Sequence, residues 1–105
     1  MTLSPSRAAY EDCFELLDQA LAGDGIRVSA EDSGAAQHLF MRLHYARTLS
    51  RDESRKLYEP EHPEFGISAY DGLIVRRPRE REGRWWVYIE PRKVTGQVEE
   101  LKAAE

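Results

Sequence analysis

Apolar residues recur at helical spacing near the start of the chain. Ser4 and Pro5 predict an N-cap followed by proline at the first helical position, where the missing N–H costs nothing. Gly23 predicts the end of this helix. The apolar face is formed by Tyr10, Cys13, Phe14, Leu17, Ala20 and Leu21. We therefore expect one helix between Ser4 and Gly23, with an acidic outer face.

A second helical stripe begins after Ser29 or Asp32, either of which can act as an N-cap. Its face is formed by Ala36, Leu39, Phe40, Leu43, Ala46 and Ser50. The spacing predicts a helix that runs to about Leu49. An extension toward Leu57 and a restart at residues 50–53 both fit the pattern.

Strand patterns occupy three shorter stretches. Residues 25–29 alternate after a Gly-Asp-Gly turn, and residues 73–77 and 84–90 are rich in β-branched and aromatic side chains. Residues 78–83 predict a long charged loop that joins the last two strands as a hairpin. Residues 59–71 predict a loop because of their prolines and turn residues. Val94, Val98 and Leu101 indicate a short C-terminal helix.

The element order is therefore α-β-α-β-β, with a final short helix. We expect an α+β fold, in which one antiparallel sheet carries the helices on one face and residues 1–105 form a single domain. The side chains expected in the core are Leu17, Leu39, Leu43, Val87 and Ile89.

Composition narrows the class of protein. The 105 residues are 41% hydrophobic and 32% charged, which is ordinary for a globular domain. The sequence shows neither a signal peptide nor an apolar run of membrane-spanning length, and Cys13 is the one cysteine. Cys13 falls on the apolar face of the first helix, which predicts a small buried side chain. These features favour a reducing cytoplasm and no membrane.

Charge is arranged in blocks along the chain. The net charge is −4, yet residues 36–58 and 75–93 are basic and the segments around them are acidic. The sequence contains twelve Arg, three Lys and no Asn, a bias typical of a GC-rich genome. This bias weakens the significance of any arginine cluster. The net acidity argues against indiscriminate nucleic-acid binding.

Catalytic and metal-binding motifs are absent from the sequence. It has no glycine-rich phosphate loop, no nucleophile elbow and no zinc-protease motif. His62 lies among Glu59, Glu61 and Glu64, but the prolines of this segment prevent its side chains from converging on one ion. We therefore expect a protein that is not an enzyme and uses no metal or cofactor.

The second predicted helix has an unusual outer face. His44, Arg47, Arg51 and Arg55 form a basic flank, and Met41 and Tyr45 lie beside it, away from the apolar stripe. Apolar groups surrounded by arginine are typical of a binding surface. From this face the predicted contact residues are Met41, Tyr45, Arg47 and Arg51.

The last strand has a second such pattern. Alternation places Trp85, Val87 and Ile89 on one side, and Arg84, Trp86 and Tyr88 on the other. The first set predicts the buried side. Arg84, Trp86 and Tyr88 are then predicted contact residues, unless another segment covers Trp86.

Two functions fit these patterns. The first is a small protein-binding inhibitor or adaptor, of the compact kind that phages and other mobile elements encode, which docks through arginine and aromatic side chains. The second is an RNA- or DNA-binding accessory protein that uses the basic flank and the hairpin. The net acidity and the glutamates among the hairpin arginines favour the protein partner.

Overall fold

The computed structural model describes residues 5–92, so the predicted C-terminal helix and the N-cap at Ser4 lie outside the described residues. Within this range the chain forms helices and strands in the order α-α-β-α-β-β-β. The elements are α1 Pro5–Ala9, α2 Glu11–Ala22, β1 Ile26–Ala30, α3 Ser33–Leu57, β2 Leu73–Val75, β3 Arg79–Arg81 and β4 Arg84–Pro91.

The strands form one antiparallel sheet around β4. β1 pairs with one edge of β4, and β2 and β3 pair with the other. The α+β class, with helices packed against an antiparallel sheet, is confirmed. Val28 lies opposite Val87 and Ile26 opposite Ile89, so the alternating apolar residues of β1 and β4 share one face of the sheet.

The hairpin connection differs from the prediction in detail. Part of the segment expected as a long loop is β3, and only Glu82 and Gly83 turn the chain back into β4. Their φ angles are +56° and +80°, which are the values of a two-residue type I′ turn. This turn matches the right-handed twist of the strands and extends the hairpin beyond the core.

The core lies between the inner face of the sheet and the helices. Leu17, Leu43, Val87 and Ile89 are fully buried, as predicted, while Leu39 is half-buried and packs at the margin of the core. Cys13 is also fully buried, and this burial raises the pKa of its thiol to about 11. The prediction of a small buried side chain is therefore confirmed.

The first predicted helix is interrupted at Tyr10. Arg42 Nη2 donates a hydrogen bond to the Ala9 carbonyl at 2.6 Å, and this carbonyl is the acceptor that the Cys13 amide would use in a continuous helix. The guanidinium of Arg42 also lies 4.9 Å from the centre of the Tyr10 ring. A side chain from α3 thus divides the N-terminal helix into α1 and α2.

The second predicted helix continues without a break from Ser33 to Leu57. Asp32 caps it by accepting a hydrogen bond from the Ala35 amide at 2.8 Å, so one of the two predicted caps is confirmed. The loop after the helix holds its final turns. Ser54 Oγ donates to the Glu64 carbonyl at 2.9 Å, and the hydroxyls of Ser50 and Ser68 lie 2.9 Å apart.

Tyr70 connects this loop to α2. Its side chain is 8% exposed, and its hydroxyl donates to Asp18 Oδ1 at 2.7 Å. Burial first, and then the hydrogen bond with Asp18, raise the pKa of Tyr70 to about 12. Because the folded state resists ionisation of this phenol, the resulting stability is complete below the ordinary pKa of 10.0 and is lost as the pH rises toward 12.

The titration of Tyr70 predicts a measurable pH dependence. We expect the free energy of unfolding to fall by about 2 kcal/mol more in the native protein than in Tyr70→Phe as the pH is raised through this range. Urea unfolding of both proteins at a series of alkaline pH values measures the difference. Parallel curves for the two proteins would contradict the assigned role of the phenol.

Candidate functional site

The outer face of the sheet, on the side away from the helices, carries arginine and aromatic side chains. The antiparallel registers place Arg27 opposite Tyr88, Arg79 opposite Trp86 and Arg81 opposite Arg84. Residues directly opposite each other point to the same side of a sheet. We name this surface the outer sheet face; its members are Arg27, Arg76, Arg79, Arg81, Arg84, Trp86 and Tyr88.

Two aromatic rings lie at its centre. Trp86 and Tyr88 are half-buried and are separated by two positions on the central strand β4. The guanidinium of Arg27 lies 4.2 Å from the centre of the Trp86 ring, a cation–π contact. A shallow open depression of about 360 Å³ lies beside Tyr88, and three arginines and Glu90 line its other sides.

A bulge in the hairpin determines which charges reach this face. Val75 lies opposite Ile89 and Arg79 lies opposite Trp86, so three residues separate these two pairs on one strand and only two separate them on β4. The extra residue lies between β2 and β3, next to Pro78. Without it, continued alternation from Val75 would turn Glu80 outward and Arg79 inward.

The bulge therefore separates the acidic from the basic residues of the hairpin. Arg79 and Arg81 share the outer sheet face, whereas Glu80 lies opposite Trp85 on the other side. Glu90 is the one acid that the described strands place on the outer face, and its Oε1 accepts from Arg76 Nε at 2.8 Å. Glu80, one of the two glutamates that argued against nucleic acid in the sequence, thus lies on the opposite side of the sheet from Arg79 and Arg81.

The predicted contact residues do not form one surface. Met41 and Tyr45 are 57% and 46% exposed, as expected, but they lie in the helical layer, on the opposite side of the sheet from Trp86. The ring of Tyr45 packs against Tyr10, with ring centres 5.2 Å apart. The two sets of predicted contact residues therefore lie on opposite sides of the sheet, because α3 packs on the inner face and Trp86 lies on the outer face.

Arg47 is a correction to the predicted surface. It is only 8% exposed; its Nη1 donates to the Leu73 carbonyl at 2.6 Å, and its Nη2 donates to His44 Nδ1 at 3.3 Å. Burial first, and then the charge of Arg51, lower the pKa of Arg47. Burial, followed by the charge of Arg47, also lowers the pKa of His44. Arg47 is thus a buried residue that holds β2 to α3.

Arg51 is half-buried and has a partner within the chain. Its Nε donates to Asp71 Oδ1 at 2.7 Å, and the Ser68 amide donates to Asp71 Oδ2 at 3.0 Å. Burial tends to raise the pKa of Asp71, but the hydrogen bonds from Ser68 and Arg51 outweigh it and lower the pKa. This carboxylate neutralises Arg51, whose side chain anchors the loop.

The histidine that lay among carboxylates in the sequence has other partners. His62 Nδ1 accepts the Glu64 amide at 3.0 Å, and its ring stacks on Tyr58 with centres 4.3 Å apart. Across residues 5–92, no group of three or more His, Cys, Asp or Glu side chains is arranged to hold a metal ion. The same part of the chain contains no helix with the length and apolarity required to cross a bilayer.

No protein-family model matches this chain, and neither do curated proteins or solved structures. The outer sheet face therefore has to be interpreted from its own chemistry. Sequence reasoning found Arg84, Trp86 and Tyr88 through the alternation of β4 but missed Arg27, Arg79 and Arg81. The one local signal for the last two was Pro78, since proline within a strand pattern is typical of a bulge.

Proposed function

We propose that this protein binds single-stranded nucleic acid on its outer sheet face. The observation that carries the proposal is the arrangement around Trp86 and Tyr88, where five arginines share a face with one paired glutamate among the described strands. Single-strand binders combine aromatic platforms that stack bases with cationic side chains that hold phosphates. Sheets that bind RNA stack two or three bases on such rings.

The net charge of −4 is compatible with this function because several of the exposed acids lie away from the outer sheet face. Four of them lie on α2, in the helical layer. They are Glu11, Asp12, Glu15 and Asp18. A polyanion that approaches the outer sheet face meets five arginines and Glu90, which is paired with Arg76, while the acids of α2 lie behind the sheet, where salt screens them.

Salt dependence gives the first test. The affinity for labelled short single strands is measured by fluorescence anisotropy at several salt concentrations. A plot of log affinity against log salt concentration should have a slope of about −0.7 for each phosphate contacted. Arg84→Ala should reduce this slope by about 0.7. The matched control is Arg55→Ala on α3, which removes the same charge from the helical layer and should leave the slope unchanged. Equal effects of the two variants would contradict the proposal.

Stacking gives the second test. Trp86→Ala should weaken binding by about 1–3 kcal/mol, since one base loses its platform. The neighbouring residue Trp85 faces the core margin, and Trp85→Phe should leave affinity within about twofold of the native value. Melting curves confirm that each variant is folded. Unchanged affinity in Trp86→Ala would exclude the ring as a platform.

A protein partner is the second candidate function, with an inhibitor or adaptor as the expected type. The exposure of Met41 and Tyr45, beside Tyr10 and Arg42, favours it, because aromatic, methionine and arginine side chains are enriched in interfaces. A pull-down from native lysate with and without nuclease distinguishes the two. Partners that survive nuclease treatment and are lost in Tyr45→Ala support protein binding, and partners lost with nuclease support the outer sheet face.

A further inference from the structure

The two edges of the sheet differ in how their peptide groups are satisfied. The Arg76 amide donates to the Tyr88 carbonyl at 2.8 Å. The peptide groups of the even-numbered residues of β4 therefore point toward β2 and β3, where they form hydrogen bonds. Odd-numbered residues such as Val87 must then bond toward β1. Val87 lies opposite Val28, so Val28 bonds to β4, and the peptide groups of its neighbours Arg27 and Ser29 point away from the sheet.

At the opposite edge, α3 covers the strand. The same alternation directs the peptide groups of Leu73 and Val75 away from β4. Arg47 donates to the Leu73 carbonyl at 2.6 Å, and His44 faces the Val75 carbonyl. β3 continues this edge, but it is only three residues long and all three are exposed and charged, which is how proteins protect an edge strand.

The β1 edge has no comparable cover in the described part of the chain. No hydrogen bond among residues 5–92 reaches the outward peptide groups of Arg27 and Ser29, and both residues are exposed. Shallow depressions lie at both ends of the strand, one beside Ser29 and the other beside Gly25. An uncovered strand with unpaired peptide groups is a template for another strand.

We propose that β1 pairs with β1 of a second copy of this chain, antiparallel, about a two-fold axis at Val28. In this register Arg27 of each copy lies opposite Ser29 of the other, which are the residues whose peptide groups point outward. The two strands then exchange four hydrogen bonds. On the inner face Val28 meets Val28, and Ile26 meets Ala30.

Charge and the length of β1 together favour this register over its neighbours. An axis at Arg27 would place two arginines directly opposite each other, which is destabilising. An axis at Ser29 would require Glu31, which lies beyond the end of β1 in a bend. The axis at Val28 keeps every pair within β1 and is compatible with the apolar side of the strand.

The dimer would place the two outer sheet faces side by side on one continuous sheet. Its formation does not depend on the proposed function, since self-association is measured without nucleic acid. A native chain that does not dimerise would therefore leave the nucleic-acid proposal standing. A chain that binds no nucleic acid would likewise leave the dimer proposal standing.

Ser29→Pro gives the sharpest test of the edge. Proline removes an N–H that points away from the sheet, so the ladder with β4 keeps its bonds, and proline is tolerated at such edge positions. Sedimentation from micromolar to millimolar protein should show a dimer for the native chain and for the control Ser29→Ala, and a monomer for Ser29→Pro. A native chain that stays monomeric at millimolar concentration would overturn the proposal.

Disulfide formation tests the register. In Val28→Cys the two thiols meet across a non-hydrogen-bonded pair, where Cα atoms lie about 4.5 Å apart and a disulfide fits. Native Cys13 does not compete because it is fully buried. Oxidation should link Val28→Cys within the dimer and leave Ser29→Cys largely unlinked. Preferential linking of Ser29→Cys would contradict the axis at Val28.

Discussion

Reversal of Arg79 and Arg81 to glutamate should reduce the affinity for single-stranded nucleic acid by at least about 100-fold. Each lost charge-assisted hydrogen bond to phosphate is worth about 1.5–3 kcal/mol, and each introduced carboxylate repels the strand as well. The fold should tolerate the change, because Arg81 lies opposite Arg84 and the reversal replaces a like-charge pair with an opposite one. Anisotropy titrations at fixed salt measure the loss.

A charge-matched control separates this effect from a general loss of attraction. Arg55→Glu combined with Lys56→Glu makes the same change in net charge on α3, in the helical layer. We expect this variant to bind within a few-fold of the native protein, because exposed charges more than about 10 Å away are screened at ordinary salt. An equal loss of affinity in both variants would show that net charge, rather than the outer sheet face, attracts the strand.

Replacement of Leu43 by alanine should cost about 2–5 kcal/mol of unfolding free energy. Leu43 is fully buried between the sheet and α2, and truncation leaves a cavity as well as lost apolar burial. A domain of this size has a total stability of about 5–15 kcal/mol, so the melting temperature should fall by roughly 10–30 °C.

Met41→Ala provides the comparison for Leu43. Met41 lies on the same helix, two positions away from Leu43, and is 57% exposed. We therefore expect the unfolding free energy of Met41→Ala to stay within about 0.5 kcal/mol of the native value. Thermal and urea unfolding of the two variants side by side measure the contrast. If Leu43→Ala had the same melting temperature as the native protein, the assigned inner face of α3 would be wrong.

Local periodicity was sufficient to predict the elements that bury one face. Leu17 and Leu43 each belong to a stripe of apolar residues at helical spacing, and Val87 and Ile89 alternate at strand spacing. All four are buried as predicted. The same alternation placed Trp86 on the outer side of β4. These predictions succeeded because each depends only on the residues of its own element.

The errors arose where contacts between distant segments decide. Arg47 was predicted at the surface because its helical position flanks the apolar stripe, yet it is buried against the Leu73 carbonyl, 26 positions away. The break at Tyr10 depends on Arg42, and the cation–π contact of Arg27 depends on the pairing of β1 with β4. A single sequence does not reveal such pairings. Nor does it reveal the bulge beside Pro78, which places Arg79 on the outer side of the sheet and Glu80 on the inner side.

The most direct measurement of the central claim is a two-dimensional ¹H–¹⁵N NMR titration with a short single-stranded oligonucleotide. The two tryptophans give separate indole signals, and they lie on opposite faces of β4, which makes Trp85 an internal control for Trp86. The account predicts shifts at the Trp86 indole and at the amides of Arg27, Arg79 and Tyr88, while the Trp85 indole and the amides of Met41 and Tyr45 stay in place. Shifts confined to the helical layer, or no shifts at saturating oligonucleotide, would contradict it.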